Sequence, residues 1–163
     1  MSVPVIRGAG EGEKRSFFGG GLHTWKLRTE ETGGAFFMFE DAMGRAKTTP
    51  WHLHPNADET LYVLEGEIVI NIGGRECRVG AGAMTFTPKG VPHAFMVLSE
   101  TARLLTMQSP GDGEAFYRGA SDPTTESTSG LVDMARIQAS AKANPRGIEV
   151  LGPPPFGDVE LAG

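Results

Sequence analysis

The sequence predicts an all-β protein of jelly-roll architecture, on three observations. Short runs of β-branched, aromatic and aliphatic residues recur along the first two thirds of the chain. Glycine and proline, 23 and 11 of the 163 residues, punctuate those runs as they do in sandwiches and barrels rather than helical bundles. Eight or more runs follow one another at close spacing, the pattern of a jelly roll.

The opening stretch MSVPVIRGAGEGEKR has no β-type period, and residues 1–19 read as a flexible N-terminal arm. Its GAGEGE lacks the preceding strand and following helix that a phosphate-binding loop requires. The barrel is expected over residues 20–118. GLHTWKL around Leu22 to Leu27, AFFMFE from Ala35 to Glu40, ETLYVLE from Glu59 to Glu65 and EIVINI from Glu67 to Ile72 read as strands, as do ECRV, MTFT, HAFMVL and RLLTMQ. Gly66 separates two of them tightly, Gly73-Gly74 signals a hairpin, and Gly80-Ala81-Gly82 and Pro88-Lys89-Gly90 mark further turns. Residues 119–163 read as linker, short helix and extended tail. DGEAFYRG allows one helical turn, SDPTTESTSG has no hydrophobic period, and Leu131, Met134, Ala135 and Ala139 recur at helical spacing before Pro145. The tail IEVLGPPPFGDVELAG holds one β-type run and a proline cluster, and reads as an extended arm.

An apolar fraction of 39% over this length is enough for one domain with a real core. A net charge of -5 gives no broad electrostatic reason to bind nucleic acid or an anionic membrane. The start lacks the apolar run of a signal peptide, and no stretch approaches the roughly 20 apolar residues that span a bilayer, so a cytoplasmic location is expected. The lone Cys77 forms no internal disulfide. It has no evident His partner and reads as a buried structural thiol.

The chemistry lies in Trp51 to Gly66, WHLHPNADETLYVLEG. Alternate residues of a strand point the same way, so His52 and His54 share a face, and Pro55-Asn56-Ala57-Asp58 can turn the chain to bring Glu59 beside them. Two imidazoles and a carboxylate suit a divalent transition metal. Downstream, GAMTFTPKGVPH from Gly82 to His93 offers a fourth ligand. Burying these groups without a metal leaves costly unsatisfied polar atoms.

These segments, H-x-H-x4-E-x6-G and G-x5-P-x-G-x2-H with Gly66, Gly82, Pro88 and Gly90 in place, resemble the paired signatures of the cupin superfamily. The resemblance covers about Gly20 to Ser109. More narrowly, the chain resembles small single-domain cupins related to quercetin dioxygenases, including the late IEVLGPPP run. It implies a double-stranded β-helix and one metal held by His52, His54, Glu59 and His93, whether iron, manganese, nickel, cobalt, copper or zinc. Two positions depart from the usual signatures: Ala46 stands where a glycine usually begins the first, and Val97 where an asparagine usually ends the second. Val97 shares parity with His93 and Phe95 and so should dry one barrel wall, which favours an apolar or aromatic small-molecule ligand.

The resemblance therefore implies an oxidoreductase of dioxygenase type, acting with dioxygen on a flavonol-like or other small enol or phenol substrate. Glu59 would serve as both ligand and catalytic base. The alternatives are a metal-dependent isomerase or lyase with the same ligands, and a non-enzymatic binding cupin. No helix-turn-helix accompanies the barrel. His23, which shares parity with Trp25 and Leu27, reads as a core or surface histidine outside the site, and Asp58 as a solvated turn residue. Of Phe36, Phe37, Phe39, Phe86, Phe95 and Met84, some are expected to form the pocket wall. Exposed edge strands of an open jelly roll favour a homodimer.

Overall fold

The computed structural model of the chain describes residues 3–124 and 133–157. In chain order its elements are β1 (Glu13–Phe17), β2 (Gly21–Leu27), β3 (Phe37–Gly44), β4 (Trp51–Leu53), β5 (Asp58–Glu65), β6 (Glu67–Ile72), β7 (Arg75–Gly80), β8 (Met84–Thr87), β9 (His93–Val97), β10 (Thr101–Ser109), α1 (Glu114–Gly119), β11 (Asp122–Pro123), α2 (Met134–Ala143) and β12 (Glu149–Gly152). The strands form two antiparallel sheets in the orders β11-β1-β2-β3-β10-β5-β8 and β12-β4-β9-β6-β7. This is the double-stranded β-helix that the sequence predicts.

Period-two patterning explains how the sheets face each other. On β3 the buried positions are Phe37, Phe39, Asp41 and Met43, on β5 Glu59, Leu61 and Val63, and on β10 Ala102, Leu104, Thr106 and Gln108. Alternate side chains thus enter the barrel while their neighbours face outward. Two apolar clusters fill the interior. One gathers Phe17, Trp25, Phe37, Phe39, Phe116, Tyr117, Ile137 and Ile148 under α1 and α2, and the other gathers Leu61, Val63, Ile68, Ile70, Phe95, Val97 and Leu104. Burying each such side chain contributes about 1.5–3 kcal/mol. The outward face of β5 and the edge strand β8 leaves Tyr62, Met84 and Phe86 exposed.

Several expectations change. Part of the stretch read as an arm is β1, paired with β2 from Glu13↔Trp25 to Phe17↔Gly21. Its Arg15, Ser16 and Phe17 are buried. The apolar run of the tail is β12, which pairs with β4 at Glu149↔Leu53 and Val150↔His52. That run therefore supports the strand that carries His52. Cys77 is exposed rather than buried, because β7 is the outer edge strand of its sheet and Arg75 to Arg78 are uncovered. The expected second helix begins at Met134, where Asp133 caps it by accepting from the Arg136 N–H at 3.0 Å. Leu131, most of the polar linker and the last residues of the tail lie outside the described residues.

Two turns carry backbone constraints that mutation can read. Ala46 has φ 65, in the left-handed region where a side chain costs roughly 1–2 kcal/mol, which accounts for the glycine usual at that position of the signature. Gly66 has φ 80, and a Cβ there would overlap the Thr101 carbonyl oxygen and Ser99 Oγ. Ala46→Gly is therefore expected to be neutral or to stabilise by up to about 1 kcal/mol, and Gly66→Ala to cost about 2 kcal/mol or more, by denaturant unfolding. Equal losses in the two variants would contradict this assignment of strain.

Candidate metal centre

The two sheets meet over four polar side chains. His52 on β4 lies directly opposite His93 on β9 in one sheet. Glu59 on β5 lies opposite Gln108 on β10 and Thr87 on β8 in the other. His54 follows the end of β4, and its carbonyl accepts from the Gly90 N–H at 2.9 Å, joining the two signature segments. The structure thus brings together all four residues that the sequence singles out: His52, His54, Glu59 and His93 are each at most 5% exposed.

Each imidazole is oriented by a backbone carbonyl. His52 Nδ1 lies 2.7 Å from the Pro50 oxygen, His54 Nδ1 2.7 Å from the Gly147 oxygen and His93 Nδ1 3.0 Å from the Val91 oxygen. A carbonyl only accepts, so every Nδ1 must carry hydrogen and donate it. The Nε2 atoms are left to face inward. One nitrogen from each ring lies within 4.8 Å of those of the other two, an arrangement that could hold a metal ion.

Glu59 closes the cluster. Its Oε2 lies 3.1 Å from His54 Nε2 and its Oε1 3.2 Å from His93 Nε2. Two rings whose Nδ1 hydrogens are already committed now meet a carboxylate through their other nitrogens. Lone pairs at that separation require a cation at the meeting point, either protons on the rings or a metal. Ligands about 2.1 Å from a common ion stand about 3 Å apart, a spacing Glu59 meets with His54 and His93 through different oxygens, while the ligand atoms that all lie within 4.8 Å of one another are those of the three histidines. Imidazoles with a neighbouring carboxylate are a donor set that fits a divalent transition ion. Burial opposes ionisation of Glu59, but His54 and His93 outweigh it and hold its carboxyl well below the usual range. Burial, then His93 and His54, push His52 well below its usual value. His93 is likewise opposed by burial, yet Glu59 raises it.

Two residues that the sequence reading missed complete the site. Gln108 Nε2 lies 2.8 Å from Glu59 Oε2, 3.0 Å from His54 Nε2 and 3.1 Å from Tyr117 Oη. Tyr117, on α1, is pushed well above the usual phenol range by burial and then by the charges of Glu59 and Asp41. Gln108 was visible as a polar residue on the inward parity of TARLLTMQS. Tyr117 lies in a helical turn with no such signal.

The space beside the centre is small. Two adjoining lobes of about 40 Å³ each share Phe17, Lys47, Thr49, His52 and Tyr117 in their walls, and the inner lobe also touches Glu59, Phe39 and Phe95. Val97 is fully buried, as its parity implied, but it sits in the apolar cluster rather than on this wall. His23, expected as a core or surface histidine outside the site, is buried at 1% exposure and lines the inner lobe of the cavity. Asp58, expected as a solvated turn residue, is the first residue of β5, half-buried and paired with Ser109, and its Oδ1 accepts from the Lys89 N–H at 2.9 Å.

Comparison with known proteins agrees with this architecture. The family described as "Cupin domain" matches residues 38–107. Quercetin 2,3-dioxygenase of Bacillus subtilis is 27% identical over 122 residues, 75% of this chain, which spans 36% of that protein's length. Among solved structures, KdgF from a Halomonas species superposes with TM-score 0.61 at 17% identity, covering 66% of this chain and 94% of that one. An RmlC-like cupin from Shewanella frigidimarina gives TM-score 0.58 at 19% identity, covering 67% and 93%. At those identities the structural likenesses speak for the fold. No helix among the described residues is long and apolar enough to cross a membrane. Together the paired motifs and the two-sheet barrel agree with the family match in identifying residues 38–107 as a cupin domain.

Proposed function

We propose that the protein is a metal-dependent oxidoreductase of the dioxygenase type, acting on a small enol or phenol substrate, with His52, His54, Glu59 and His93 as the metal ligands. The observation that carries the metal assignment is the commitment of all three Nδ1 atoms to carbonyls while a buried carboxylate lies 3.1 and 3.2 Å from two of the Nε2 atoms. The likeness to a quercetin dioxygenase over 75% of the chain supports the choice of reaction. When bound, a divalent metal supplies Lewis acidity and a meeting place for substrate and dioxygen.

The chain's own residues do the remaining work. Glu59 lies beside the cavity as a carboxylate, within reach to take the hydroxyl proton of an arriving enol or phenol, against the pull of His54 and His93 that lowers its proton affinity. Gln108 fixes the orientation of that carboxylate through Oε2. Phe17, Phe39 and Phe95 exclude water from the inner lobe. Lobes of about 40 Å³ fall far below the roughly 300 Å³ of a pocket for a drug-sized ligand, which favours a small substrate over a three-ring flavonol. A second reading, a metal-dependent isomerase or lyase, is favoured by the polar groups Lys47, Asp41 and His23 in the cavity wall, which suit proton transfer without dioxygen.

Two measurements test these assignments. Gln108→Leu frees Glu59 Oε2 and is expected to weaken metal binding about tenfold or more, by competition with a chelating dye, with the far-ultraviolet spectrum unchanged. Unchanged affinity would remove Gln108 from the site. In an oxygen electrode, iron-, manganese-, nickel- or cobalt-loaded protein is expected to consume dioxygen with at least one small enol or dihydroxy-aromatic compound. Turnover that persists anaerobically would establish the isomerase or lyase reading instead, and tight binding with no turnover would make the barrel a binding module.

A further inference from the structure

Next to the metal centre the barrel encloses a second polar cluster that the proposed chemistry does not require. Lys47, Asp41 and His23 have side chains only 2%, 7% and 1% exposed. His23 and Asp41 are direct cross-strand partners on β2 and β3, so both point into the barrel. The Lys47 stem crosses Gly19 and Gly21, where Cβ atoms would stand 3.1 Å from its Cγ and 3.7 Å from its Cε. A side chain at Gly19 would crowd the path by which Lys47 enters, and one at Gly21 would press on Asp41 Oδ1 at 3.1 Å.

The cluster is incompletely satisfied. Lys47 Nζ lies 3.7 Å from Asp41 Oδ2, and His23 Nε2 3.6 Å from the same oxygen, both longer than a hydrogen bond. Asp41 Oδ1 and His23 Nδ1 are buried without any hydrogen-bond partner. His23 is clamped between Phe17 and Phe39, at ring-centroid distances of 4.4 and 4.1 Å. Lys47 Nζ stands 5.6 Å from the Phe17 centroid and 5.5 Å from that of Phe95. A buried ion pair with loose geometry is weak as a stabilising device, since apolar groups of the same volume often serve better. Its place is more telling. Lys47 lines both lobes of the cavity together with His52, and Glu59 lines the inner one.

Charge and size narrow the occupant. Burial works against the Asp41 carboxylate, but Lys47 and then His23 outweigh it and keep it ionised, so Asp41 balances Lys47. Burial keeps His23 neutral. With a divalent ion bound, the enclosed cluster of three neutral imidazoles, the Glu59 and Asp41 carboxylates and the Lys47 ammonium would carry one net positive charge in a low-dielectric barrel, which a monoanion seated between Lys47 and the ion would neutralise. A water needs about 10–15 Å³ of such space, so lobes of about 40 Å³ suit a molecule of a few non-hydrogen atoms.

We propose that the cavity takes a small monocarboxylate, whose carboxylate pairs with the Lys47 ammonium while its other oxygen function faces His52 and Glu59. This deepens the proposed function and rests on it for the second end of the ligand. In the wall, Asp41 and His23 position Lys47 and moderate its hold on the anion, so that it pairs with an arriving carboxylate reversibly.

Calorimetric titration of pyruvate, with hydroxyacetone as the neutral counterpart, tests this on metal-free and zinc-loaded protein. Pyruvate is expected to bind more tightly than hydroxyacetone. Lys47→Met is expected to weaken pyruvate binding about tenfold or more and to leave hydroxyacetone unchanged, with Lys47→Arg restoring part of the loss. Asp41→Asn, which frees the ammonium, is expected to tighten pyruvate binding several-fold, a gain that misfolding cannot imitate, and it decides the question if Lys47→Met does not fold. Pyruvate binding that is absent, indifferent to Lys47→Met, or unchanged or weakened by Asp41→Asn overturns the proposal. Lys47-dependent binding of pyruvate with no zinc uptake defeats the metal assignment alone, whereas zinc uptake with Lys47-independent pyruvate binding defeats this inference alone.

Discussion

Three backbone carbonyls, each accepting a hydrogen from one imidazole Nδ1, hold the site together. Pro50, Val91 and Gly147 supply them from three separate segments of the chain. Once those hydrogens are committed, each neutral ring turns a lone pair inward, and the buried Glu59 beside His54 and His93 calls for a proton or a metal ion between them. Much of the surrounding structure serves this constraint. Pro50 is itself the first of those carbonyl bearers and Pro92 follows the second, Val91, and the pairing of β12 with β4 holds the Gly147 segment beside His54.

The second level of organisation is electrostatic. Sheet parity places charged or polar groups at inward positions that include His23, Asp41, Glu59, Thr106 and Gln108. Lys47 joins them from the segment after β3, next to the left-handed Ala46. The cavity is therefore aromatic on its flanks and charged at its two ends. Such a space selects an occupant by charge and by size together.

How much of this was legible in the sequence follows from the range of each signal. The ligand residues stand within short motifs, and period-two alternation is local, so His52, His54, Glu59, His93 and most of the strands could be read directly. The Val97 departure drew attention to an apolar wall, but the wall that lines the cavity is set by Lys47, Asp41 and His23. Asp41 and Gln108 carried a readable signal, a polar residue on an otherwise apolar inward parity. Lys47 lies outside the strands, where parity says nothing. The carbonyl of Gly147 and the phenol of Tyr117 depend on contacts across 93 and 9 residues of chain respectively, and no local pattern encodes them. For the same reason β1 and β12 looked like arms: each is short, and its identity as a strand comes from the partner it meets.

X-ray absorption at the metal edge of zinc-loaded protein tests the central claim most directly. The account predicts one zinc per chain with the scattering of three imidazole rings and a carboxylate oxygen at about 2.0–2.2 Å, and loss of one ring's contribution in His93→Ala. A bound zinc without imidazole scattering, or a spectrum that His93→Ala leaves unchanged, would contradict it.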